Sequence, residues 1–154
     1  MTIKRTVLLA VLSLSLAGCT LSGSSDQANN CSILDDKYFT FLPTSNQTED
    51  PHGYFSEVVE AQNAFIRKLE GLPSTSTEEN TLIGDLVTAN RKLESVYRQQ
   101  FESLSVGQTR DEFLRGLSET EFEAWVADGE ELASVTQGAT LVFEDYAAFC
   151  SSEG

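Results

Sequence analysis

From residue 50 to residue 150 the apolar residues of this chain recur at helical spacing, and the rhythm breaks only at short runs of Gly, Pro, Ser and Thr. A stripe of that period lies on one face of a helix, so such a segment buries its apolar side chains by packing helix against helix. The first run opens at Asp50-Pro51, where an aspartate can cap free amides and a proline suits the first turn. Its stripe is Phe55, Val58, Phe65 and Leu69, widened by Tyr54, Val59 and Ile66, and it stops at Gly71 before Pro73.

A polar turn of Ser and Thr follows, in which Ser76 and Glu79 have the spacing of a capping box. Behind it Ile83, Leu86, Leu93, Tyr97 and Leu104, with Val87, Val96 and Phe101, predict a second helix over about residues 78–104. Asn90 and Gln100 fall on the same stripe, where burial would require hydrogen-bond partners; they are expected to fix register or to sit at the rim. After Val106-Gly107, Thr109 with Glu112 and Ser118 with Glu121 repeat the capping signal, predicting a short helix that feeds a long one. The stripe of that last helix is Phe122, Trp125, Leu132, Val135, Ala139, Val142, Tyr146 and Phe149. Gly129 and Gly138 interrupt it, which would suit a kink or the close approach of a neighbour. No internal repeat or β-rich series is present, so the expected class is all-α: an antiparallel bundle of three long helices plus a short one.

The chain opens with a different pattern. Lys4-Arg5 precede an uncharged run of Leu, Val and Ala, the order of a secretory signal, and the run is too short for a confident membrane span. It ends in Leu16-Ala17-Gly18-Cys19, which resembles the lipobox of bacterial lipoproteins. That resemblance implies cleavage after Gly18, a diacylglyceryl thioether on Cys19 and usually acylation of the new amine, so the protein would be held at a membrane by palmitate-type chains. Two or more acyl chains anchor stably where one is marginal, at about 0.8 kcal/mol per buried methylene. Thr20 after the lipidated cysteine, in place of the aspartate that often retains lipoproteins in the inner membrane, points to the periplasmic face of the outer membrane in a two-membrane organism. The expected organisation is a signal peptide over residues 1–18, a small, polar, flexible lipidated tether over 19–30, a helical domain over 31–150 and a tail over 151–154.

With Cys19 given to lipid by that resemblance, Cys31 and Cys150 remain, one at each edge of the domain, in a compartment where disulfides persist. A Cys31–Cys150 bridge requires both ends of the domain to meet. Three helices running up, down and up would leave them apart, so residues 33–43, rich in aromatics, are expected to return along the bundle as a strap.

Processing would shift the formal charge from −14 to −16 by removing Lys4 and Arg5. Such a balance opposes nucleic acid and direct adhesion to anionic lipid. The only histidine, His52, cannot build a multi-histidine metal site and is expected to be a solvated turn residue. Glu119, Glu121, Glu123, Asp128, Glu130 and Glu131 form the densest acidic stretch, without the spacing of a calcium loop. Arg67-Lys68, Arg91-Lys92 and Arg98 are the basic clusters, with Glu94 and Arg98 at pairing distance along a helix. No phosphate loop, haem-attachment pair or dinucleotide fingerprint is present. No catalytic residue, metal or cofactor is therefore expected. The expected role is a non-enzymatic, membrane-anchored adaptor or inhibitor that binds an envelope protein, with a carrier or sensor of an apolar small molecule as the alternative.

Overall fold

The computed structural model describes residues 30–35, 42–73 and 75–152; the signal segment, Cys19, most of the tether and the middle of the strap lie outside the described residues. Four α-helices follow a 3-10 turn at Ser32–Asp35: α1 (Pro51–Glu70), α2 (Thr77–Glu102), α3 (Arg110–Gly116) and α4 (Glu119–Ser152). No strand occurs among the described residues.

The local signals act where the sequence puts them. Asp50 accepts the Gly53 amide at 2.9 Å, and Pro51 occupies the first helical position. Gly53 leaves room for this cap: a Cβ would fall 2.2 Å from the Asp50 carboxylate and 2.7 Å from the Ser45 hydroxyl, so any larger residue would push both side chains from their places. One turn on, the Glu57 carboxylate gathers the amides and hydroxyls of Thr44 and Ser45 at 2.6–3.2 Å, pinning the preceding loop to α1. Those bonds, led by the Ser45 hydroxyl, hold the Glu57 carboxyl below its ordinary range. The chain leaves α2 through Gly107, whose φ of +76° favours glycine. Thr109 with Glu112 then forms the reciprocal capping box, and Ser118 and Glu121 exchange the same two bonds at the head of α4.

The Ser76–Glu79 signal is only half used. Ser76 accepts the Glu79 amide at 3.1 Å, but the Glu79 side chain turns inward to Tyr146. Desolvating the carboxyl there competes with capping, and a partner on another helix decides the outcome.

Helix α2 packs against α1 on one side and α4 on the other. Along α1 and α2 the contacts run in opposite sequence order: His52 meets Phe101, Phe55 meets Tyr97, and Gln62 meets Asn90. The buried Gln62 amide donates to the Asn90 side chain at 2.6 Å and to its carbonyl at 3.2 Å, while Asn90 donates to the Leu86 carbonyl at 2.7 Å. Slipping one helix by a turn would break this set in an apolar setting, so the pair fixes register. A larger core joins Phe65, Leu69, Ile83, Leu86 and Tyr146 to the Cys31–Cys150 bond; a smaller one joins Leu93 and Val96 of α2 to Val135 of α4.

Neither Gly129 nor Gly138 is a place of close approach: a Cβ on either would meet nothing within 4 Å, and α4 continues through both. Glycine in a helix interior costs about 1 kcal/mol against alanine, through the greater freedom of its unfolded backbone. Gly129→Ala and Gly138→Ala should therefore each raise the melting temperature in a circular-dichroism scan, by roughly 3–5 °C for about 1 kcal/mol in a domain of this size. A drop would mean that α4 needs a bend at these positions.

Candidate functional site

The two ends of the helical assembly differ in chemistry. At one end Cys31 and Cys150 are bonded, with Cα atoms 5.8 Å apart and a sequence separation of 119. Both are buried, as is Tyr146 one turn before Cys150. The Tyr146 hydroxyl donates to Glu79 Oε1 at 3.2 Å, while Glu79 Oε2 has no hydrogen-bond partner among the described residues. Asn30, also fully buried, donates to the Pro73 carbonyl at 2.9 Å, which locks the residue before Cys31 to the turn that opens α2. Burial and the neighbouring charge of Glu79 push the Tyr146 phenol far above the ordinary tyrosine value.

At the other end α4 outruns its neighbours. It has 34 residues against 26 in α2, a difference of about 12 Å at 1.5 Å per residue. Counted outward from the contact between Glu79 near the start of α2 and Tyr146 near the end of α4, about half of that surplus, roughly one turn, falls at the α4 N-terminus, beside the short α3. The buried Phe113 of α3 lies edge-on to Trp125 with ring centroids 6.3 Å apart, and the Arg110 guanidinium sits 5.5 Å over the indole. Phe122 stacks on Trp125 at 6.4 Å from the outside. Only Val135, Tyr146 and Cys150 of α4 are buried, whereas Phe122 is 46 % exposed, Val126 41 % and Leu141 55 %.

Between the ends, a groove of about 330 Å³ runs between α2 and α4, with Ala89, Val135, Ala139 and Val142 at its floor and Asp85 and Lys92 on one edge.

Several expected roles change in this setting. His52 is a half-buried residue in the first turn of α1 with its ring 4.4 Å from Phe101, because the overlap of α1 and α2 places an aromatic over it. Phe122 stands on the outside instead of in the core, because α2 ends before reaching it. The basic clusters are partly neutralised: Arg98 pairs with Glu94, as the spacing predicts, and Arg91 pairs with Glu70 across α1 and α2. Glu79 was legible only as a cap. Its burial had no local signal, since the partner lies 67 residues away. The exposure of Phe122 could have been found by asking which part of the longest helix lacks a facing helix; Val126 is exposed by the face of α4 it occupies.

Among the described residues no group of three or more His, Cys, Asp and Glu side chains could hold a metal ion, and no helix is long and apolar enough to cross a membrane. No protein-family model, curated protein or solved structure matches this chain.

Proposed function

We propose that this chain is a lipid-anchored envelope protein: an antiparallel bundle of three long helices, closed by a strap and a disulfide, that works through protein contacts and not through catalysis. The single observation behind the contact role is the free end of α4, where Phe122 and Val126 face solvent beside a Trp125 held in place from behind. Exposed aromatic anchors on a rigid helix are what protein-binding surfaces use. The opposite order of contacts along α1 and α2, and the pairing of Glu79 with Tyr146, support the antiparallel arrangement. The Leu16-Ala17-Gly18-Cys19 motif supports the anchor, on the extracytoplasmic side and, with Thr20 behind it, at the outer membrane of a two-membrane organism.

Intact-mass analysis of the native protein tests the anchor. The expected species begins at Cys19, carries added acyl mass, and offers two thiols only after reduction; Cys19→Ser should leave an unlipidated product. Finding Cys19 bridged to Cys31 or Cys150 would overturn the anchored reading.

A second reading, a carrier of an apolar small molecule, has the groove between α2 and α4 in its favour. The exposed edges of that groove, with Asp85 and Lys92, suit it less well than an enclosed cavity would. Mass spectrometry of gently purified protein would reveal a retained ligand.

A further inference from the structure

We infer that the free end of α4 docks a cationic amphipathic segment of a partner protein, one that presents an apolar stripe flanked by Lys or Arg. The inference deepens the protein-contact role proposed above and rests on it.

Phe122 and Val126 stand one turn apart on the same face of α4, both substantially exposed. Behind them Trp125 is fixed by Phe122, by Phe113 and by the Arg110 guanidinium, so the platform loses little side-chain freedom when covered. The apolar centre sits inside an acidic field. Helix α4 has no Lys or Arg in its 34 residues. Glu119, Glu123 and Glu130 lie one turn from the pair, all exposed, with Glu121 and Glu131 close by. Residues 110–131 hold eight carboxylates and two arginines, for a net charge of −6, and one of those arginines, Arg110, lies over the indole.

An apolar centre with a one-sign rim selects its partner by charge. A cationic rim opposite would be steered in and held in register, while an anionic one would be repelled. A second copy of this chain, offering the same acidic α4, is disfavoured for that reason, as are anionic lipid and nucleic acid. A helix with Leu or Phe at i, i+3 and i+4 between basic residues meets both demands at once.

Trp125 is the only tryptophan in the chain, so its emission reports on this surface alone. The full chain, held in phosphatidylcholine nanodiscs with empty nanodiscs as blank, is titrated with tryptophan-free helical peptides. One has an apolar stripe flanked by Lys, one has the same stripe flanked by Glu, and one keeps the Lys with Ser in place of the stripe. Calorimetry gives a second readout. The Lys-flanked apolar peptide should give a saturable shift, weakened at least tenfold by Val126→Ser and severalfold by Glu123→Gln with Glu130→Gln. Glu123→Lys with Glu130→Lys, which brings the surface from −6 to −2, should remove most of the preference for the Lys-flanked over the Glu-flanked peptide, at exposed positions where the circular-dichroism melt stays unchanged. Equal binding of the Lys- and Glu-flanked peptides, sensitive to Val126→Ser, would overturn the cationic partner while leaving the contact surface standing. Binding of the stripeless polycation as tight as that of the amphipathic one would reduce the inference to nonspecific attraction and overturn it. No saturable response to any peptide would overturn both the partner and the surface.

Discussion

Replacing Cys31 or Cys150 by serine is expected to lower the stability of the protein by up to about 5 kcal/mol, from the chain entropy that closing a loop of this length removes from the unfolded state. The bond spans 119 residues, nearly the whole helical domain, so it restricts almost every conformation the unfolded chain can take. Both sulfurs also belong to the larger core with Phe65, Leu69, Ile83, Leu86 and Tyr146, so serine would leave a hydroxyl in an apolar setting. The double variant Cys31→Ala with Cys150→Ala separates the two effects. Urea denaturation should give similar drops in midpoint for the reduced wild type and the double alanine variant, and a larger one for the serine variants. A fall below about 1 kcal/mol would show that residual structure in the unfolded chain offsets the constraint.

Tyr146→Phe should cost about 2–3 kcal/mol, more than its lost hydroxyl would suggest, because it strips the buried Glu79 carboxyl of its hydrogen bond. Glu79→Gln, which can still accept from Tyr146, should cost less, and the double variant should recover part of the loss in a double-mutant cycle. The same pair sets a pH signature. The folded state raises the Tyr146 ionisation, by burial first and by the charge of Glu79 second. Burial raises Tyr97 and Tyr54 in the same direction. A phenol raised on folding stabilises fully below the unfolded tyrosine value of about 10, and that contribution disappears as pH climbs from there toward the folded value. Stability measured by urea titration should therefore fall steeply above about pH 10, and Tyr146→Phe should flatten the slope. An unchanged slope would remove Tyr146 as its main source.

The local part of this architecture was legible because each signal acts within one turn. Asp50-Pro51 starts α1, Thr109 with Glu112 caps α3, and Ser118 with Glu121 caps α4, each where the sequence predicts. Asn90 on an apolar stripe announced a buried hydrogen bond, which Gln62 supplies. What the sequence hid were outcomes decided between helices. Glu79 has the spacing of a cap, yet Tyr146 draws it inside, and nothing within four residues of Glu79 says so. Phe122 lies on the right stripe for the core, but a stripe does not say where the facing helix ends. The glycines of α4 show the same limit: their cost is readable, while the space around them is a property of neighbours.

The bond between Cys31 and Cys150 also decides how the molecule carries force. A pull on the chain ahead of Cys31 enters the fold at the sulfur bridge and passes straight into the last turns of α4. From there it runs along one continuous helix, about 42 Å from residue 150 to residue 122 at 1.5 Å per residue. Tension between that leading segment and anything gripping Phe122 and Val126 therefore loads a single covalent strut lengthwise, while α1 and α2 share the load only through noncovalent contacts such as that of Asn30 with the Pro73 carbonyl. Reduction would reroute the same pull through α1, peeling it from α2 one contact at a time, so an intact bridge makes the difference between a rigid tie and one that unravels.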